Sequence, residues 1–254
     1  MEALRAHAFG FLGAGEFDPW SEPVDRWLVQ RARNGDGPVL ILPTASAHEG
    51  EETFQMWANK GLEHYRTLGI PAEVVPIRTR EDASKPELIA RLDGASMVFF
   101  SGGNPARLAQ VLSGTPFWTE TVAALDDGLV YGGCSAGVAW LTETTFDSDS
   151  EDINAVWAPG LGYVRGTVFA PHWDTVDQWV PGATTFIAGS VKPGERLVAL
   201  DEDTALVGDG RSWEVIGRSG IHVLEDGAWT SYRLGDAFQL ELRIGPSEPA
   251  AAPA

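Results

Sequence analysis

The stretch Gly128 to Leu141 reads GLVYGGCSAGVAWL. It opens on a short apolar run, Gly128 to Tyr131, that reads as a strand. It closes on Ser135 to Leu141, which reads as a helix. Between them lies Gly133-Cys134-Ser135-Ala136-Gly137, a G-x-S-x-G pattern. Chance produces this pattern often in a glycine-rich chain, so its context decides. Strand, sharp turn and helix form the setting of a nucleophile elbow, where flanking glycines let the backbone take a strained turn. Ser135 then stands at the carboxyl end of a strand, and the N–H of Ala136 points towards a developing oxyanion. The bland reading is an ordinary glycine-rich turn.

The same rhythm continues outward. Ala8 to Leu12, Val39 to Leu42, Glu73 to Pro76, Ser96 to Phe100 and Thr167 to Ala170 read as strands. Pro23 to Arg33, Glu51 to Leu68 and Pro86 to Leu92 read as helices, and two more start at Pro105 and Pro116. Strand–helix alternation implies crossover connections and a mostly parallel sheet. The strands are continuous apolar runs because helices cover both faces of such a sheet. After residue 190 the pattern changes. Arg196 to Leu200, Ala205 to Gly208, Trp213 to Gly217 and Gly220 to Leu224 are short strands punctuated by Asp-Gly turns. The expectation is an α/β fold with a C-terminal antiparallel extension added to the parallel sheet. Residues 1–245 are expected to form one domain, and the Pro/Ala-rich residues 246–254 a disordered tail.

Composition excludes several functions. The 254 residues carry a net charge of −18, which argues against nucleic acid and anionic membrane surfaces as partners. The single cysteine, Cys134, excludes an internal disulfide and a cysteine-rich zinc site. No His/Cys/acid cluster has ligand spacing, so neither metal nor cofactor is expected. Apolar runs such as Met97 to Phe100 are too short to span a bilayer, and no leader is visible; the expected location is cytoplasmic.

A second glycine pair follows a buried strand in Ser101-Gly102-Gly103-Asn104. Gly103 is the candidate second oxyanion donor. Asn104 is a candidate substrate-binding residue, or simply the cap of the next helix. A serine nucleophile also needs a base. Of His7, His48, His64, His172 and His222, the favoured one is His172, which Pro171 aims from the end of a strand. The third member should be an acid that orients the imidazole. The loop between serine and histidine carries Asp147, Asp149, Glu151 and Asp152, and the expected orienter is Glu151 or Asp149. Most acids in such a run are simply solvated.

At these residues the chain resembles the dipeptidase E and cyanophycinase family of serine peptidases. The resemblance runs from about residue 8 to residue 238. It rests on GAGEF (Gly13 to Phe17), LPTASA (Leu42 to Ala47), FFSGGNPARL (Phe99 to Leu108), GGCSAG (Gly132 to Gly137), APHWD (Ala170 to Asp174) and LDEDTALV (Leu200 to Val207), in the family's order. It implies a class I glutamine amidotransferase-like, flavodoxin-like fold. It also implies Ser135 as nucleophile, His172 as base, an intervening acid as orienter and a small peptide as the partner, with a homodimer as one possible assembly. Members that cleave after aspartate carry a basic residue beyond the histidine. Here Trp173 to Val191 holds no Lys or Arg, which disfavours acidic substrates. Trp157, Trp173 and Trp179 are candidates to line an apolar pocket.

Three other readings compete. An α/β-hydrolase esterase would use Ser135, Asp201 or Asp203, and His222. A glutamine amidotransferase would use a cysteine, and Cys134 lies one position early. A non-catalytic domain would cradle phosphate on its glycine loops, although Gly13-Ala14-Gly15 makes a weak fingerprint.

Overall fold

The structure, a computed structural model, describes residues 7–245. The expected tail, 246–254, lies outside the described residues. The first half alternates as its apolar periodicity requires: β1 (Phe9–Leu12), α1 (Glu22–Val29), β2 (Val39–Leu42), α2 (Glu51–Leu68), β3 (Ala72–Val74), α3 (Pro86–Ile89), β4 (Met97–Phe100), α4 (Pro105–Leu112), α5 (Pro116–Asp126), β5 (Val130–Cys134) and α6 (Ala136–Ala139). Helix α6 is shorter than the expected Ser135 to Leu141. Helix α2 ends where the sequence predicts, because Gly69 takes a left-handed conformation at φ 69°.

The five strands of this half pair in parallel in the order β3-β2-β4-β5-β1. Successive side chains of a strand enter opposite faces. Leu40 and Leu42 join Phe9, Phe11, Val98 and Phe100 in one core. Val39 and Ile41 join Leu12, Met97, Phe99 and Cys134 in the other. Both faces are therefore apolar, and helices cover them. The loops after β1, β2, β4 and β5 all emerge at the carboxyl edge of this sheet, where open α/β sheets place their sites.

The second half comprises β6 (Thr144–Phe146), β7 (Trp157–Pro159), β8 (Val164–Arg165), β9 (Thr167–Ala170), α7 (Val176–Trp179), α8 (Ala183–Ser190), β10 (Arg196–Leu200), β11 (Thr204–Gly208), β12 (Ser212–Gly217), β13 (Gly220–Glu225), β14 (Ala228–Arg233), β15 (Ala237–Gln239) and β16 (Arg243–Ile244). The expected meander is present but divided between two sheets. Strands β11, β12 and β15 extend the central sheet antiparallel, giving the order β15-β12-β11-β1-β5-β4-β2-β3. Strands β10, β13 and β14 leave it and join β9 in a second sheet, ordered β14-β13-β10-β9.

The chain changes sheets at Asp201–Asp203, where Asp203 takes φ 51°, and returns at Gly217, with φ 134°. At Gly217 any Cβ would sit 2.3 Å from the Asp203 carbonyl oxygen, so glycine is required there. Among the described residues no helix is long and apolar enough to cross a membrane.

Candidate active site

Ser135 sits between β5 and α6 at φ 51° and ψ −109°, a strained conformation for a residue with a Cβ. The flanking glycines allow it. A Cβ on Gly133 would lie 2.3 Å from the Gly137 carbonyl oxygen, and one on Gly137 would lie 2.2 Å from that of Phe100. The elbow expected from the sequence is thus a packing requirement, and it sets Ser135 at the carboxyl edge of the sheet.

His172 follows β9 and Pro171, and it too is left-handed, at φ 57°. Its Nε2 lies 2.8 Å from Ser135 Oγ. Its Nδ1 lies 2.7 Å from Glu202 Oε1. A carboxylate only accepts, so Nδ1 carries the proton and donates to Glu202. Nε2 is then left with a lone pair that accepts the Ser135 hydroxyl proton. This is the tautomer a general base needs.

Two bonds brace the histidine turn against the strand end that carries the acid. The Trp173 amide donates to the Leu200 carbonyl at 3.0 Å. The Glu202 amide donates to Asp174 Oδ1 at 2.9 Å.

Residues 11–216 match the sequence model of peptidase family S51. The chain belongs to that family. A crystal structure of a peptidase from an acI-B1 actinobacterium superimposes with a TM-score of 0.82 at 27% identity, covering 92% of this chain and 97% of that one. A putative peptidase E from Listeria monocytogenes shares the fold, with a TM-score of 0.59 at 16% identity over 84% of this chain and all of that one. A cyanophycinase of Synechococcus elongatus is 28% identical over 81% of this chain, and the match spans 64% of that relative's length. A cyanophycinase of Nostoc is 24% identical over 94% of this chain and 78% of its own. The resemblance seen in the six motifs therefore extends to the family and the fold.

Within this S51 site the acid differs from the one expected. Glu202, not Glu151 or Asp149, meets His172. Asp149 pairs instead with His48 Nε2 at 3.1 Å. Glu151 is solvent-exposed. The reason is topological: a sheet-switching turn brings Glu202 back to the histidine, while the 147–152 loop turns towards α4. The acid follows the histidine in sequence, so a search between serine and histidine had to miss it. The signal in the sequence is the LDEDTALV segment, which carries Glu202 between Asp201 and Asp203.

Asn104 is also reassigned. Its Oδ1 accepts from the Ala106 amide at 2.9 Å and the Arg107 amide at 3.2 Å, capping α4. Its Nδ2 donates to Asp147 Oδ1 at 2.6 Å. At 1% exposure it offers no surface to a substrate. That bond is the first reason the Asp147 carboxyl lies below its usual range.

Gly103 takes φ 136°, and a Cβ there would lie 2.5 Å from the Ala45 carbonyl carbon. Neither its amide nor that of Ala136 donates to another described residue. Both amides sit in turns at the carboxyl edge of the parallel sheet.

Cys134 is fully buried on the helix-α1 side of the sheet. Burial, reinforced by Glu16, pushes its thiol well above the usual value. It is not placed as a nucleophile. Native protein is therefore expected to show no reaction with iodoacetamide at pH 8 and to react with one equivalent once unfolded, as read by intact mass.

His222, the esterase alternative, binds Asp201 through Nε2 at 3.1 Å and Ser231 Oγ through Nδ1 at 2.8 Å, away from Ser135. Asp201 also accepts from Ser219 Oγ at 2.6 Å and from the Gly220 amide at 3.0 Å. Burial pushes the Asp201 carboxyl up, but these bonds, His222 first, outweigh it and hold it below its usual value. A lowered carboxylate stabilises the fold fully above the unfolded value, about pH 4. The contribution is lost as pH falls through the folded value. D201N is expected to flatten this acid limb in Tm measurements between pH 3 and pH 7. An unchanged slope would count against the assignment.

Proposed function

We propose that this protein is a serine peptidase that hydrolyses small peptides at Ser135. The observation that carries the reading is the relay Ser135 Oγ to His172 Nε2 at 2.8 Å and His172 Nδ1 to Glu202 at 2.7 Å, set on a strained elbow. His172 takes the serine proton as Oγ attacks the peptide carbonyl. The oxygen of the tetrahedral intermediate is held by the amides of Gly103 and Ala136. His172 then gives the proton to the leaving amine, and water repeats the cycle on the acyl-enzyme. Membership of S51 and the cyanophycinase relatives support peptide-bond hydrolysis.

The surroundings favour neutral or cationic substrates. Trp173 to Val191 supplies no basic side chain to meet a carboxylate. Of the three tryptophans expected near the site, Trp157 stacks on Phe186 and Trp173 packs on Trp229. Trp179 lies with its ring centroid 5.0 Å from that of His172 and is 59% exposed. It offers an apolar wall to a residue flanking the scissile bond. An aromatic contact contributes about 0.5–1.5 kcal/mol. W179A is therefore expected to raise KM about 3- to 10-fold, with a smaller change in kcat. Equal KM values for W179A and wild type across substrates would remove Trp179 from the pocket.

The test of the reading is a dipeptide library assay with S135A as the control. Ser135-dependent release of amino acids supports it. Absence of any such hydrolysis overturns it.

A further inference from the structure

The GAGEF segment is not used by the relay, yet its conformation is strained. Gly15 takes φ 74° and Phe17 takes φ 63°, and a left-handed phenylalanine is rare. Phe17 is held there by burial, with its ring 4.9 Å from that of Phe99. Between these two residues the backbone turns Glu16 inward, to 3% exposure. Glu16 Oε1 accepts the Gly102 amide at 2.8 Å, across 86 positions of sequence. The donor is a neutral amide. Burying an acid against a neutral amide costs free energy, as does a left-handed Phe17, and such costs concentrate where geometry matters.

The donor is the immediate neighbour of Gly103, and a Cβ on Gly102 would sit 3.6 Å from Ser135 Cβ. Glu16, from the loop after β1, thus anchors the loop after β4 where that loop faces the elbow after β5. Engaging the Gly102 amide fixes the Ser101–Gly102 peptide plane, one residue before the Gly103 N–H.

We propose that Glu16 is a positioning residue that sets the oxyanion loop, through Gly102, at the distance from Ser135 that the tetrahedral intermediate needs. This rests on the serine-peptidase reading. An error of about 1 Å in such placement costs on the order of 100-fold in rate. The effect falls on the transition state, because the oxyanion donors meet the charged tetrahedral oxygen more strongly than the substrate carbonyl.

The experiment compares E16Q and E16D in the full chain. E16Q keeps an oxygen acceptor at the same reach. E16D keeps the charge but withdraws the acceptor by one methylene. The readouts are kcat and KM on the best library dipeptide, and the Kd of a peptide boronic acid that bonds Ser135 Oγ and mimics the intermediate. E16D is expected to lose about 10- to 100-fold in kcat and a similar factor in boronate affinity, with KM within about threefold. E16Q is expected to stay within about fivefold of wild type in all three. Wild-type kcat and boronate affinity in E16D would overturn the proposal. So would a larger loss in E16Q than in E16D, which would make charge rather than acceptor position decisive. A purely structural role would lower Tm without the matched loss in kcat and boronate affinity. Wild type with neither Ser135-dependent hydrolysis nor boronate binding would instead be a failure of the serine-peptidase reading.

Discussion

S135A is expected to abolish peptide hydrolysis, with kcat falling by about 10⁴- to 10⁶-fold. In the proposed mechanism the Ser135 oxygen bonds to the carbonyl, and no neighbouring group can replace it. Cys134 is adjacent in sequence but is fully buried on the opposite side of the strand. His172 would remain, yet without Oγ it has no nucleophile to activate at 2.8 Å. Binding is expected to survive, because removing one oxygen leaves the pocket walls in place. The measurement is single-turnover hydrolysis together with substrate affinity by calorimetry. S135A activity within tenfold of wild type would refute the nucleophile assignment.

E202Q is expected to lower kcat by about 10²- to 10⁴-fold, with KM nearly unchanged. A glutamine can present its amide N–H to Nδ1. That favours the tautomer with the proton on Nε2, which cannot accept from Ser135. The Glu202 side chain is 34% exposed, so solvent softens the effect and its lower end is the more natural expectation. D149N and E151Q are expected to stay within about twofold of wild type, because Asp149 faces His48 and Glu151 faces solvent. A pH–rate profile checks the same point, since a misassigned acid would leave the E202Q profile unaltered. If D149N or E151Q were the more damaging change, the acid assigned from the structure would be wrong.

The elbow was readable because its constraints are local. Gly133 and Gly137 must lack a Cβ for the turn to close, and that need is written at fixed offsets from Ser135. His172 was readable for a similar reason, being aimed by Pro171 at a strand end. Asn104 was read as either a cap or a binding group, and its burial and bonds decide for the cap. Glu202 and Glu16 were not readable. Each acts across a long sequence separation, 30 positions to His172 and 86 to Gly102. An acid in a turn carries no local mark of such a partner.

The sequence by itself determined the α/β alternation, the two-sided burial of its strands, the elbow at Ser135 and the strand-end turn that carries His172. Periodicity, glycine and proline act over a few residues, and a few residues suffice to read them. Tertiary structure alone decided which carboxylates stand beside His172 and Gly102. The chain leaves one sheet and enters another at Asp201–Asp203, which turns Glu202 towards His172. Left-handed backbone at Gly15 and Phe17 turns Glu16 under the Gly102–Gly103 loop. Both placements depend on how distant strands pair, and pairing is a property of the folded whole.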